Sequence, residues 1–325
     1  MRLVKAHKYG VPEVLQVVEQ AEPQLGPGQV MIKVMASGIG FGETFARRGK
    51  YPSSFPLPFE PGWEVGGQII HVGEGVDPSL VGLLVLASNS GGRGYADLFV
   101  VNADAVLPVP AKVSIEQATA AFLSGQVAFG VLSAVRVQPG ETVLITAAAG
   151  AIGSLLLQLA KAAGAGAVIG AARGKEKGVV LSQLGADATI DYSEDNWVER
   201  VREITGGKGA DVVIDSVGGA IGRGALDATA NVHGRLGIFG ISSGAGITIE
   251  TLNLARRGIT VVGALGIMMA APEQEKHAWS REVLSCVAAG RLRAVIGQTY
   301  PLEQAAEAHA ALEERRTIGK VLLLP

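Results

Sequence analysis

Residues 141–164, ETVLITAAAGAIGSLLLQLAKAAG, join a short β-rich run to a helical run through a turn made almost wholly of Ala and Gly. Few folds accommodate such a junction. Residues 142–146 are β-branched and apolar, as suits a strand buried on both faces of a parallel sheet. Ile152, Leu155, Leu156, Leu159 and Ala163 then recur at helical spacing. The period switches across 147–153, where the first N–H groups of the new helix have no partner within it. Gly150, Ala151 and Ile152 are therefore read as donors to a pyrophosphate, aided by the helix dipole. Gly150 has no Cβ to block that approach, and Gly153 lets the helix lie close to the strand.

Against the G-x-G-x-x-G fingerprint the turn matches two glycines of three, because Ala148 stands where the first is expected. A second strand-like run, 167–171, follows at the distance a βαβ unit requires. A tight packing turn without a ligand is the competing reading. A membrane span is a third, since 142–160 carries no charge, but two glycines at a change of period and the early Lys161 fit a buried strand and helix better.

Before this junction, up to about residue 107, short strand-like runs alternate with turn clusters, as in 29–36 after the turn Gly26-Pro27-Gly28, a pattern of barrels and sandwiches. Residues 114–135 then turn helical, with Ser114 as N-cap and Gln117 completing a capping box. From 139 to about 263 strands and helices alternate, which implies a doubly wound parallel sheet with strands at 142–146, 167–171, 188–190, 212–215, 235–239 and 260–263. Helices near 279–289 and 302–312 and a last strand, 320–324, are expected to return to the first domain.

Charge excludes two partner classes: 28 basic and 30 acidic residues leave a net −2, so no global field draws the chain to nucleic acid or to an anionic membrane. The start, MRLVKAHKYG, lacks a signal-peptide core, and the single Cys286 forms no intrachain disulfide, so a cytoplasmic enzyme is expected. One cysteine and five scattered histidines, His7, His71, His233, His277 and His309, supply no zinc-ligand spacing, so surface or packing roles are expected of them.

Several stretches now carry a resemblance: VQPGETVLITAAAGAIG (137–153), PGWEVGGQIIHVGEGV (61–76), GYAD (94–97), LGADATIDY (184–192), ADVVIDSVGG (210–219) and the terminal GKVLLLP. With these the chain resembles, over essentially its whole length, the zinc-free quinone oxidoreductase (zeta-crystallin-like) group of the medium-chain dehydrogenase/reductase superfamily. The resemblance implies an α/β protein in which a GroES-like β-barrel catalytic domain is split by an inserted Rossmann domain, with the active site in the cleft between them. The expected domains are 1–123 (catalytic), 124–264 (NADPH-binding Rossmann) and 265–325 (return).

Zinc-dependent relatives carry Cys at the position of Gly40, and His in a G-H-E motif that here reads Gly62-Trp63-Glu64. No metal is therefore expected, and without a Lewis acid the resemblance implies hydride delivery to a quinone or conjugated carbonyl. In GFGETFARRGKYP the group's N-x-x-D pattern is altered, Gly40 replacing Asn and Glu43 replacing Asp; Phe45 stands where many members have Tyr, and in the R-x-G-x-Y-P pattern that follows Tyr51 is kept. Val127 replaces the Thr usual in a G-x-T-A stretch. These exchanges remove polar groups and imply an apolar substrate pocket.

The cofactor is expected to be NADPH. An NAD enzyme places an acid about 20 residues past the glycine turn, whereas this chain reads Ala171-Ala172-Arg173-Gly174-Lys175-Glu176-Lys177. Arg173 and Lys177 are assigned to the 2′-phosphate. By resemblance Tyr192 joins them, and Gly40, Val127, Ala149, Phe239, Gly240 and Ser242 complete the cofactor's surroundings. Tyr51 is read either as a hydrogen-bond or proton donor to the substrate oxygen or as a loop aromatic packed before Pro52. Glu64 is either a buried acid or one pinned by backbone N–H groups, and Trp63, Phe239, Met268 and Met269 line either the substrate or the core. Arg256 and Arg257 are read as a solvated pair at a helix end, and the edge strand 260–263 as a homodimer contact. Two functions remain open: reduction of quinones, enones or enoyl thioesters, and nucleotide binding with little turnover.

Overall fold

The computed structural model describes residues 1–53 and 55–325, in two units: Met1–Leu123 with Leu284–Pro325, and Ser124–Val283. The return to the first unit thus starts at Leu284 rather than at residue 265. The reason is packing, since a Cβ at Gly130 would lie 2.2 Å from Met268 and 2.8 Å from Trp279, which fixes the helices Ala264–Ala270 and Glu273–Ala288 close on the second half of Ile115–Val135.

The first unit is built on the eleven-residue strand Gln29–Ile39. Its sequence alternates from Val30 to Ala36, and Val30, Ile32, Val34 and Ala36 are all buried. One edge pairs along its length with Glu64–Val72, with register shifts at Met31/Ile32 and Val34/Ala36 that bend the pair. Its other edge pairs first with Leu98–Asn102 and then with the terminal strand Lys320–Leu324. Strands Leu84–Ser88 and Leu107–Pro108 extend the sheet one way and Ile296–Pro301 the other. A hairpin of Arg2–Lys5 and Gln16–Glu19 is held to this unit by Asp97, whose carboxylate accepts from the Arg2 amide at 2.6 Å and its guanidinium at 2.8 Å.

The second unit holds a six-stranded sheet in the order Ala188–Asp191, Ala167–Ala172, Thr142–Ile145, Val212–Asp215, Arg235–Ile238, Thr260–Gly263, every pair parallel. This is the doubly wound order in which a nucleotide lies beyond the carboxyl ends of the strands, where the strand order reverses. The central strands are buried on both faces, as their unbroken runs of Val, Leu and Ile require. Helix Ile115–Val135 has the length and apolarity of a membrane span, but 61% of that window is buried within the protein. Ser114 caps its start as read, its Oγ accepting from the Gln117 amide at 3.2 Å, and this is the half of the expected capping box that the structure shows. Arg257 corrects one reading: far from being solvated, its guanidinium donates to the Leu226 carbonyl at 3.0 Å and the Thr229 carbonyl at 2.6 Å, closing the end of the helix Gly219–Ala228.

Candidate active site

In the second unit the turn 147–153 lies at the carboxyl end of Thr142–Ile145. The Ala148 amide bonds to the Ala171 carbonyl at 3.0 Å, and the helix Ala151–Ala162 begins at once, capped by no side chain. Its first internal bond runs from Ser154 to the Gly150 carbonyl at 2.9 Å. The amides of Ala151, Ile152 and Gly153 precede that bond and point out of the helix start. The Gly150 amide does not join them, because it is spent on the Ala147 carbonyl at 3.0 Å. The open donors are thus displaced by one residue from the sequence reading. Ala147, not Ala148, takes the left-handed conformation, with φ +47°, at a cost of roughly 1–2 kcal/mol for a residue with a Cβ. Gly153 has the strictest need, since a Cβ there would lie 2.4 Å from the Ala147 carbonyl oxygen. Ala149 is buried beneath the turn.

Neighbouring strand ends complete this rim. Asp215, buried, receives Thr146 Oγ1 at 2.6 Å and the Val217 and Gly218 amides at 3.1 and 2.9 Å, which locks the loop after Val212–Asp215. The Phe239 amide bonds to the Asp215 carbonyl at 3.0 Å and the Ser242 amide to the Ser216 carbonyl at 2.9 Å. Gly240 is packed so close that a Cβ would lie 3.0 Å from that Ser216 oxygen. Phe239, Gly240 and Ser242 therefore stand together, with the strand Val212–Asp215 between theirs and the strand that leads into the turn 147–153. Val127 is half-buried on Ile115–Val135, and Phe239 and Met268 are buried, whereas Met269 is 56% exposed.

The strand Ala167–Ala172 ends on exposed Arg173, and Gly174, at φ +88°, opens the helix Lys175–Gln183 that carries Lys177. Asp191, from the adjacent strand end, faces this corner: burial pushes its carboxyl up, but hydrogen bonds from Ser193 and the charge of Arg173 outweigh this and hold it below its usual value. Tyr192 packs in the apolar cluster of Leu144, Ile169 and Trp197, its amide on the Ala172 carbonyl at 3.2 Å.

In the first unit Gly40 is the N-cap of the helix Phe41–Arg47. Tyr51 follows that helix and packs edge-on to Trp63, centroids 5.3 Å apart, and against Phe55 at 5.7 Å, while Phe55 stacks on Trp63 at 5.9 Å. Both readings of Tyr51 are compatible with this half-buried position. The two positions at which zinc-dependent relatives carry ligands hold a residue without a side chain and an indole. A Cβ at Gly42 would meet Trp63 Cζ3 at 2.9 Å, so the ring fills this corner. Neither residue can ligate zinc, and the site does not fit that metal.

Beneath this aromatic wall lies a polar cluster that local sequence pattern did not reveal. Glu43 is buried and accepts from the Gly40 amide at 2.7 Å, the Gly62 amide at 2.7 Å, the Trp63 amide at 3.2 Å and Tyr95 Oη at 3.3 Å. Tyr95 Oη also lies 3.1 Å from His309 Nε2. Burial raises the Glu43 carboxyl to about 7 and lowers the His309 imidazole to about 3, so the histidine is neutral at physiological pH. Glu64 is pinned partly as read, its Oε2 accepting from the Leu123 amide at 3.1 Å, but its main partner is the buried ammonium of Lys320. Glu43 and Tyr95 lie in the GFGETF and GYAD stretches, which could have drawn attention to them; His309 lies in an alanine-rich helix with no such signal.

The "Alcohol dehydrogenase GroES-like domain" family matches residues 26–111 and the "Zinc-binding dehydrogenase" family residues 151–288. Over 327 residues the chain is 36% identical to quinone oxidoreductase 1 of Escherichia coli, with 99% of each chain covered. It is 34% identical to a 2-haloacrylate reductase from Burkholderia sp, with 98% of this chain and 97% of that one covered. The crystal structure of Escherichia coli quinone oxidoreductase complexed with NADPH superposes with a TM-score of 0.90, at 35% identity and full coverage of both chains.

Proposed function

The chain belongs to the quinone oxidoreductase group of the medium-chain dehydrogenase/reductase superfamily, and from that premise we propose that it uses NADPH to reduce a quinone or an α,β-unsaturated carbonyl, without zinc. The observation that carries this reading is the helix start Ala151–Gly153, three open amides at the carboxyl ends of a doubly wound sheet, followed at the next strand end by Arg173 rather than an acid. NADPH fits these residues: the amides suit its pyrophosphate, and Arg173 and Lys177 suit a 2′-phosphate. Phe239, Gly240, Ser242 and Val127 are assigned to its nicotinamide half, Gly40 is assigned to it by the family resemblance, and Tyr192 supports the phosphate corner from the core.

When bound, NADPH supplies a hydride. With an enone the hydride adds to the β-carbon, the π-electrons shift to the oxygen, and a proton completes the saturated ketone. With a quinone the same two electrons and two protons give the hydroquinone. Tyr51, packed against Trp63 and Phe55, is the proposed proton donor, with water as the other proton source. No nucleophile is invoked, so the chain's contribution is orientation and exclusion of water. The 2-haloacrylate reductase relative favours conjugated C=C bonds among the acceptors. The exposed edge Thr260–Gly263 supports a homodimer formed by strand pairing, and the cytoplasm is the proposed compartment.

The test is a panel of a quinone, an enone and an enoyl thioester, each followed by loss of NADPH absorbance. Turnover of at least one is expected. NADPH binding with no turnover of any acceptor would favour a nucleotide-binding protein instead.

A further inference from the structure

Glu43 takes no part in the steps above, yet three backbone amides and a tyrosine converge on its carboxylate. Its two oxygens join the start of the helix Phe41–Arg47, which leads into the loop of Tyr51, to the Gly62–Trp63 turn, whose indole meets the Tyr51 ring. Both halves of the aromatic wall thus hang on one side chain. We propose that Glu43 is a positioning residue for acceptor reduction, holding Tyr51 and Trp63 in register when ionised, and that the buried pair Tyr95–His309 reverses its hydrogen bonds when Glu43 takes up a proton.

The hydrogen-bond arithmetic fixes two states. With Glu43 ionised, Tyr95 O–H donates to the carboxylate and His309 Nε2–H donates to the tyrosine oxygen, which leaves Nδ1 bare. With a proton on Glu43 Oε2, that O–H donates to the tyrosine oxygen, Tyr95 O–H turns to Nε2, and the histidine proton sits on Nδ1. One proton is gained, two hydrogen bonds reverse and the imidazole changes tautomer while staying neutral. His309 Nδ1 is buried without a hydrogen-bond partner among the described residues, so neither tautomer is locked by a further bond. In the protonated state Oε2 is a poorer acceptor for the Gly40 amide, and the helix start loosens.

The surrounding charges are accounted for. Burial is the main cause that raises Glu43 to about 7; the bonds from Gly40 and Gly62 and the charge of Lys320 oppose it, and Glu64 adds to it. Burial and the charge of Arg47 keep His309 neutral. The ionisation therefore falls in the neutral range, where it can gate activity.

This inference rests on the proposed reductase reading, so its test has one arm that needs no acceptor. Infrared difference spectra of the full chain between acid and alkaline pH should contain a protonated-carboxyl band that titrates near pH 7 and is missing from Glu43→Gln. In the second arm, kcat/KM for NADPH-driven reduction of 1,4-benzoquinone should fall as the pH drops through about 7. Glu43→Gln should abolish that inflection and lower kcat/KM roughly 10- to 100-fold. If that variant fails to fold, Tyr95→Phe decides: removing a donor to the carboxylate should move the infrared inflection to higher pH. A Glu43→Gln enzyme with the wild-type pH profile, or a Tyr95→Phe protein with an unmoved inflection, overturns the proposal. A titrating Glu43 band in a protein that reduces no acceptor would instead sink the reductase reading alone.

Discussion

On the proposed reading, Arg173 is the residue on which cofactor choice turns. It stands at the strand end where an NAD enzyme would place an acid, and the nearby Asp191 is already held by Ser193. A charge-assisted bond to a phosphate is worth roughly 1.5–3 kcal/mol, so Arg173→Ala should weaken NADPH about 10- to 100-fold and leave NADH nearly unchanged. Fluorescence titration of both cofactors measures this; equal losses for both would remove Arg173 from the 2′-phosphate. His309 makes a different claim, on stability. Its folded value of about 3 lies below the ordinary 6.5, so the folded chain binds fewer protons than the unfolded one between those values. Stability attributable to His309 is therefore present above pH 6.5 and lost as the pH falls toward 3, by up to about 5 kcal/mol. Glu43 acts in the opposite sense: its carboxyl, raised from 4.5 to about 7, contributes stability below 4.5 that is lost as the pH rises through 7, about 3 kcal/mol in all. In denaturant unfolding, wild type should lose stability relative to His309→Gln as the pH falls below 6.5. A pH-independent difference between the two would show that the imidazole takes up its proton within the fold.

At the scale of elements, the turn 147–153 is tightly constrained. Gly153→Ala would press a methyl group to within 2.4 Å of the Ala147 carbonyl oxygen. Overpacking of this kind costs roughly 1–3 kcal/mol, and here it must also disturb the open amides. A lower melting temperature together with weaker NADPH binding is expected, and a fall in stability with unchanged NADPH affinity would show that the turn does not hold the cofactor. Much of this element was legible in the sequence. The change of period at 147–153 located the strand, the turn and the helix, because side-chain spacing directly reflects backbone geometry. The choice of open amides was not legible. Which N–H is left over depends on whether Gly150 closes back onto Ala147, a matter of backbone dihedrals that residue identities do not encode. The Glu43–Tyr95–His309 cluster was hidden for another reason, as its members lie 52 and 214 residues apart and meet only through tertiary packing. Arg257 was misread because an arginine pair at a helix end has the look of a solvated surface until the neighbouring carbonyls are in view.

The six strand positions of the parallel sheet and the return of the last strand to the first sheet were likewise readable from period and punctuation. The point of return was not, because it depends on Met268 and Trp279 packing onto Gly130. For assembly, the exposed edge Thr260–Gly263 leads to the expectation of a dimer of twice the chain mass in light scattering, dissociated by Val261→Pro, which cannot donate to a ladder. A monomer in the unmutated protein would remove that edge as an interface. The central claim is zinc-free hydride transfer from NADPH to a conjugated acceptor. It rests on a corner where Gly40 and Trp63 offer no ligand and on a turn suited to the cofactor. The most direct measurement compares, in the presence of a strong chelator, NADPH-driven reduction of a conjugated enone with NADP-driven oxidation of the corresponding simple alcohol. The account predicts undiminished enone reduction and slow or absent alcohol oxidation; alcohol turnover exceeding that of the enone, or activity lost with a tightly held zinc, would contradict it.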